Sequence, residues 1–151
     1  MKIGVVSDTH GLFRPEIKRA LKGVERILHL GDVGDFSVLK ELGKIAPVTA
    51  VRGNTDREGP SSELPETEVV LIADSYVYML HDLKLLHLDP AAGKFAAVLF
   101  GHTHVPNFYH RKDVLYFNPG SCGPKRFELP VTVGLLVVDG AELHPRIVPL
   151  L

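Results

Sequence analysis

The sequence predicts an α/β fold, and two observations support this. In the first half of the chain, short apolar runs alternate with helix-like stretches, an order that implies a parallel sheet with crossover helices. The remainder is dominated by β-like runs, and near its end Asp139-Gly140 gives a strong hairpin signal. Two sheets packed face to face with helices outside would accommodate this order, although periodicity alone does not impose that architecture. The 151 residues suffice for one domain with a substantial core, so we expect a single domain over 1–151.

The first half of the chain predicts three strands and two helices. The strands, which are β-rich and apolar, are residues 3–6, 26–30 and 48–51. Pro15 suits the first turn of a helix over 15–21. A second helix is indicated by apolar residues at three-residue spacing, namely Phe36, Leu39, Leu42 and Ile45. Residues 52–65 are polar and rich in Gly, Pro, Ser and Glu, which predicts a long loop of the kind that is often functional.

The second half predicts mainly strands. Turns at Asp74-Ser75 and Lys112-Asp113 separate neighbouring β-like runs, and one helical turn at 89–93 precedes the run that ends at Phe100. The predicted strands are residues 69–73, 76–80, 96–100, 107–111, 114–117, 131–138 and 141–148. The sequence contains no internal repeat, low-complexity tract or interdomain linker.

Composition restricts the partners and the compartment. The formal net charge of −1 gives no reason to expect that the protein binds nucleic acid stably or binds an anionic membrane surface. Cys122 is the only cysteine, so no intrachain disulfide can form, and this fits a reducing compartment. The apolar run at the start is too short for a signal-peptide core, and no stretch approaches the ~20 apolar residues of a spanning helix. We therefore expect a cytoplasmic protein.

The most informative segment is Gly101-His102-Thr103-His104, directly after an apolar strand-like run. Neutral imidazole is the commonest protein ligand for metals. Side chains at i and i+2 of extended backbone point to the same side, so His102 and His104 could bind metal together. Asp8 and His10 repeat this spacing after the first predicted strand.

Further potential ligands follow other predicted strands. Asp32 follows Gly31, Asn54 follows Gly53, and His81 ends a β-like run. The carboxyl ends of parallel strands are where α/β sheets place their sites. Seven ligands are too many for one transition-metal ion that keeps a position open, but they suit two ions sharing a carboxylate. Mixed imidazole and oxygen ligation favours Mn, Fe, Ni or Zn over Ca or Mg. The candidate ligands are Asp8, His10, Asp32, Asn54, His81, His102 and His104.

The order Asp-x-His, Gly-Asp, Gly-Asn, His, Gly-His-x-His resembles that of the calcineurin-like metallophosphoesterase superfamily. The short length, the segment Asn118-Pro119-Gly120-Ser121 and the Gly-Asn-x-Asp form are most similar to the small YfcE-like phosphodiesterases. The resemblance implies a four-layer αββα sandwich with two mixed β-sheets flanked by helices. It also implies a hydrolase with two divalent metal ions, with manganese expected first and nickel, iron or zinc as alternatives.

Carried over position by position, the resemblance assigns a role to each candidate. Asp8, His10 and His104 would hold the first metal, Asn54, His81 and His102 the second, and Asp32 would bridge both. Two such cations lower the pKa of a shared water, and the resulting hydroxide attacks phosphorus in line. We take Asp32, Asn54 and Asp56 as catalytic residues. For Asp56, steering of the substrate and a merely solvated loop are equal alternatives.

The sequence departs from the family pattern in two places. Thr55 stands where many larger members have a histidine that can protonate the leaving oxygen, so substrates with good leaving groups, or a different acid, are favoured. His81-Asp82-Leu83 lacks the glycine and second histidine that small relatives often have. His29 is interpreted as a core or supporting histidine rather than a ligand. Residues 118–121 either present backbone N–H groups to phosphate or form a tight turn.

The leading function is therefore a phosphodiesterase acting on a small phosphoester, with nucleotide-like compounds among the candidates. Two alternatives stay open: a phosphomonoesterase, and a binding scaffold of the same fold, such as the eukaryotic retromer subunit. Small relatives are often dimers or larger, so a homo-oligomer also remains open.

Overall fold

The computed structural model describes all 151 residues and contains two mixed, five-stranded β-sheets. The strands are β1 (Lys2–Val6), β2 (Arg26–His29), β3 (Val48–Ala50), β4 (Thr67–Ile72), β5 (Ser75–Leu80), β6 (Ala97–Leu99), β7 (Asn107–Arg111), β8 (Val114–Asn118), β9 (Thr132–Asp139) and β10 (Glu142–Pro149). The first sheet has the order β10-β9-β1-β2-β3 and the second β4-β5-β6-β8-β7. The expected fold class of two mixed sheets is confirmed.

The helices are few and short. They are α1 (Glu16–Ala20) and α2 (Ser37–Gly43), with 3₁₀ helices at Pro60–Glu63 and Leu83–Leu85. None of them has the length and apolar character needed to cross a membrane. Both α-helices lie within the predicted ranges, in the connections between parallel strands.

Strand β1 is buried on both faces because it lies in the middle of the first sheet. Ile3 and Val5 belong to the core between the sheets, together with Met79 and Phe117 of the second sheet. Val6 belongs to a second cluster that includes apolar side chains of α1 and α2. This alternation follows from the period of two in a strand, which sends successive side chains to opposite faces.

The outer face of the second sheet carries a third apolar cluster, which includes Val98, Phe100 and Tyr116. Leu83 and Leu86, in and just after the second 3₁₀ helix, pack against it. The prediction of one helical turn at 89–93 agrees with a turn in which Gly93 N–H donates to the Asp89 carbonyl at 3.0 Å. The layer on this side of the sandwich therefore consists of short turns rather than long helices.

Local details differ from the expectations in two places. The β4–β5 turn is formed by Ala73 and Asp74, both at positive φ, so β5 already begins at Ser75. The segment 52–65, expected to be a loop, includes a 3₁₀ helix and is braced by Arg52, whose side chain donates to the Ser62 carbonyl and to Glu66. The loop is thus held in one shape beside the carboxyl end of β3.

The two sheets bring their strand ends together at one edge. β1, β2 and β3 run parallel in the first sheet, and β5 and β6 run parallel in the second. The N–H of His102, after β6, donates to Asp8 Oδ2, after β1, at 3.1 Å. Gly101 N–H, also after β6, donates to the His81 carbonyl at 2.9 Å. This edge therefore collects residues from both sheets.

Candidate metal centre

The structure brings all seven candidate ligands to this edge, in two groups. The first group is Asp8, His10 and His104, and the second is Asn54, His81 and His102, with Asp32 between them. The facing atoms are imidazole nitrogens, carboxylate oxygens and one amide oxygen. The residues that supply these ligand atoms lie up to 96 positions apart in the chain.

Asp8 shows how the fold orients a carboxylate. Its Oδ2 accepts hydrogen bonds from Ser7 Oγ at 2.5 Å and from the His102 N–H at 3.1 Å. Its Oδ1 is buried and has no hydrogen-bond partner. It lies 3.3 Å from His104 Nε2 and 3.7 Å from His10 Nε2. One oxygen thus fixes the side chain, and the other lies nearest the first group, with His81 Nε2 of the second group at 3.9 Å.

Asp32 repeats this arrangement. Its Oδ1 accepts from the Thr55 N–H at 2.9 Å. Its Oδ2 lies 3.7 Å from His10 Nε2, in the first group, and 3.3 Å from His81 Nε2, in the second. The free oxygen of Asp32 therefore stands between the two groups, which is the place required of a bridging ligand.

The second group is closely packed. Asn54 Oδ1 lies 3.0 Å from His81 Nε2 and 3.1 Å from His102 Nδ1, and these two nitrogens are 3.3 Å apart. His81 Nδ1 is 2.8 Å from the Leu30 carbonyl, so Nδ1 donates there and Nε2 faces the site. Fixing one ring nitrogen in this way sets the tautomer of a metal-binding histidine.

Burial and charge set the protonation states. Burial raises the pKa of Asp32, but the nearby imidazole of His81 and the hydrogen bond from the Thr55 N–H outweigh it and hold the pKa well below its usual range. Burial also raises the pKa of Asp8, yet its contacts with His104, His81 and Ser7 leave the pKa lowered. Both carboxylates are ionised at neutral pH, and they place negative charge at the centre of the site.

The histidines respond to that charge in different ways. Burial lowers the pKa of His81, but its close approach to the Asp32 carboxylate and the charges of Asp8 and Asp32 raise it overall. For His10, burial lowers the pKa, and Asp32 and Asp8 offset this only in part. His10 is therefore neutral, which is the form that binds metal.

The backbone at the site is unusual. Five of the seven candidates have positive φ: Asp8 (58°), His10 (46°), Asp32 (54°), His102 (74°) and His104 (65°). Asp and His tolerate this region better than most residues, but it is sparsely populated and is found at functional sites. The close approach of the loops also needs glycine, because a Cβ at Gly53 would collide with the Asp32 carboxylate and one at Gly101 with Ser7 Oγ.

The structure corrects the expectation that Asp56 lies in a solvated loop, while its catalytic or substrate-steering role stays a prediction. Its side chain is buried, with 5% of the residue exposed. Oδ2 accepts from the N–H groups of Val33 at 3.1 Å and Gly53 at 2.9 Å, and Oδ1 accepts from Gly34 N–H at 3.1 Å. Asp56 is a brace between the loops that carry Asp32 and Asn54.

Three further residues support the ligand loops. His29, interpreted from the sequence as a core or supporting histidine, is fully buried between Thr9 Oγ1 at 3.0 Å and the Gly31 N–H at 3.1 Å. Asn118 Nδ2 donates to the Gly101 carbonyl, and Ser121 Oγ donates to the Asp8 carbonyl. The segment 118–121 therefore braces two ligand loops.

The residues fit divalent cations. Asp8 Oδ1 and His10 Nε2 are buried, unpaired and only 3.7 Å apart, and buried polar atoms otherwise find a partner. Asp8, His10 and His104 offer ligand atoms within 4.8 Å of one another, and so do Asp8, Asp32 and His81. Imidazole and carboxylate donors around a negative centre suit a first-row transition metal.

Comparison with known proteins defines the class. A family model for the calcineurin-like phosphoesterase superfamily domain matches residues 1–141. The chain therefore belongs to the calcineurin-like phosphoesterase superfamily, and the resemblance seen in its motifs is confirmed.

Individual relatives place it more narrowly. A probable metallophosphoesterase of Methanothermobacter thermautotrophicus is 38% identical, over 98% of this chain and 92% of the relative. Phosphodiesterase YfcE of Escherichia coli is 30% identical, over 92% of this chain and 89% of the relative. A solved archaeal phosphodiesterase superposes with a TM-score of 0.80 at 29% identity, covering 98% of this chain and 100% of the other. Within the superfamily the chain is a YfcE-like, metal-dependent phosphoesterase, and hence a hydrolase.

Proposed function

We propose that this protein is a phosphodiesterase that holds two divalent cations, with Mn²⁺ as the expected occupant and Ni²⁺, iron or Zn²⁺ as alternatives. The observation that carries the proposal is the position of the free Asp32 oxygen between two groups of ligand atoms. The unpaired buried atoms of Asp8 and His10 support it, because a cation would satisfy both.

The ligand roles follow from the two groups. Asp8, His10 and His104 would hold one cation, Asn54, His81 and His102 would hold the other, and Asp32 would contribute to both sites. Bound there, the cations would supply the positive charge that activates a water for attack on phosphorus and neutralises the phosphoryl oxygens. The protein's own part is to keep the donors in place: Thr55 N–H holds Asp32, the Leu30 carbonyl holds His81, and Asp56 ties the loops.

The surroundings favour a substrate with a good leaving group. Three openings adjoin the second group: one of about 220 Å³ lined by Asn54 and His81, one of about 430 Å³ lined by Asn54 and Asp56, and one of about 430 Å³ lined by His102 and Asp82. Thr55 has a hydroxyl that is a poor acid at neutral pH, so it cannot replace a protonated imidazole. The phosphodiesterase names of the relatives support a phosphodiester, and we propose a small one, nucleotide-like compounds included, as the substrate class.

The test combines metal analysis with hydrolysis. The purified protein is made metal-free with chelator, reloaded with Mn²⁺ and assayed on bis-p-nitrophenyl phosphate and on p-nitrophenyl phosphate. We expect two Mn²⁺ per chain and chelator-sensitive turnover that is faster on the diester. Faster turnover of the monoester would assign a phosphomonoesterase. Absence of both bound metal and turnover would leave only the scaffold alternative.

Two variants test the ligand roles. Asp32→Asn should weaken binding of both cations, whereas His104→Ala should mainly release one, because Asp32 contacts both groups and His104 only the first. Asp74→Asn, in the exposed β4–β5 turn, is the matched control and should bind metal like the wild type. Equal metal content in wild type and Asp32→Asn would rule out the bridging role.

A further inference from the structure

His102 is the least confined of the histidines in the candidate metal centre. Its side chain is 40% exposed, against 17% for His10 and 5% for His81 and His104. Its backbone is fixed by the bond from its N–H to Asp8, but that bond does not orient the ring. An exposed ring that must present Nδ1 to a metal needs a partner on its other nitrogen.

Asp82 is placed to be that partner. Its Oδ1 accepts from the Lys84 N–H at 3.0 Å and caps the following 3₁₀ helix. Its Oδ2 has no such bond and lies 3.8 Å from His102 Nε2, while His102 Nδ1 faces Asn54 and His81. The arrangement matches Asp8 and Asp32, in which one oxygen is fixed by the fold and the other is directed to the site.

We propose that Asp82 is a positioning residue that orients His102 for the second cation and raises the affinity of that cation. This inference rests on the proposed dinuclear function. The two atoms lie 3.8 Å apart, and we expect a small rotation of the exposed His102 ring on metal binding to shorten this distance to a hydrogen bond. Nε2–H then donates to Asp82, which leaves Nδ1 unprotonated and more basic as a ligand.

The test is Asp82→Asn. The fold still requires an oxygen to accept from Lys84 N–H, so the amide oxygen takes that side and the amide NH₂ faces His102. An NH₂ cannot accept from Nε2–H, so the positioning bond is lost while the cap is kept. Asp89→Asn is the matched control, because Asp89 Oδ1 also caps a turn, accepting from Ala91 and Ala92 N–H at 3.1 and 3.3 Å, on the outer face of the sandwich.

The measurement is calorimetric titration of the metal-free proteins with Mn²⁺, together with thermal unfolding without metal. We expect Asp82→Asn to lower the Mn²⁺ affinity of one of the two sites by about 10-fold. This is the lower end of the effect usual for residues that orient a metal ligand, because the His102–Asp82 pair is partly exposed. The other site, the metal-free melting temperature and Asp89→Asn should all be unchanged.

The outcomes separate this inference from the proposed function. Two Mn²⁺ sites of wild-type affinity in Asp82→Asn would overturn the role of Asp82 and leave the dinuclear proposal intact. A lowered metal-free melting temperature with unchanged affinities would reduce Asp82 to a cap and also overturn it. Failure of the wild type to bind two Mn²⁺ would overturn the proposed function itself.

Discussion

Removal of the Asp56 brace should destabilise the fold strongly, although Asp56 lies on a polar loop. Its carboxylate accepts three backbone N–H bonds, from Val33, Gly34 and Gly53, at 2.9–3.1 Å. Hydrogen bonds to a charged group contribute about 1.5–3 kcal/mol each. Because burial of the carboxylate offsets part of this, we take the lower end and expect Asp56→Ala to cost about 4 kcal/mol.

Asp56→Asn should cost less, about 1–2 kcal/mol. Its amide oxygen can still accept from two of the three N–H groups, and only the third N–H loses its partner. The assay is urea unfolding of the metal-free proteins, which removes the stabilisation by bound cations. Asp74→Asn, exposed in a turn, should stay within about 0.5 kcal/mol of wild type. If Asp56→Ala costs less than about 1 kcal/mol, the brace contributes little and our interpretation of Asp56 is refuted.

Two other buried groups give predictions that can be tested in solution. Burial lowers the pKa of His29 from 6.5 to about 4, against the charges of Asp8 and Asp56. The unfolded chain then binds a proton that the fold does not, so stability falls as pH drops from 6.5 to about 4, by up to about 3 kcal/mol. Urea unfolding across this pH range should show a smaller loss of unfolding free energy for His29→Gln than for the wild type. His144→Gln, on the surface, should lose as much as the wild type. Equal losses for His29→Gln and the wild type would contradict the assignment. Burial raises the pKa of the Cys122 thiol to about 12, so a thiol reagent at pH 8 should label it only in urea, and prompt labelling of the native protein would show that the thiol is accessible.

The fold was predictable where the signal is local. Hairpins such as β9–β10 around Asp139-Gly140 are encoded in adjacent residues, and the alternation of the first half specifies parallel pairing. The order of the second sheet was not predictable in this way. Its parallel pairs β5–β6 and β6–β8 depend on packing between segments that are distant in sequence.

The candidate ligands were also predictable, because their types and spacings occur at strand ends that a parallel sheet brings together. Apart from His29, the supports were not, because each joins distant residues. Ser121 Oγ donates to the Asp8 carbonyl, which lies 113 positions away in the chain. The bracing role of Asp56 was not predictable for the same reason: its motif, Gly-Asn-x-Asp, places it beside Asn54, while its partners Val33 and Gly34 lie in another loop.

The two oxygens of each aspartate in the centre have different roles, and this determines what an Asp→Asn substitution removes. In Asp32 the oxygen bound by Thr55 N–H must remain an acceptor, so an asparagine at this position would keep its oxygen there and turn its NH₂ toward the two groups. In Asp8, Ser7 Oγ and His102 N–H impose the same choice. The amide would then present hydrogens to the cations, so the substitution removes a ligand as well as a charge. Metal loss in Asp32→Asn should therefore exceed the loss expected from charge alone, and the fold around Thr55 should stay intact.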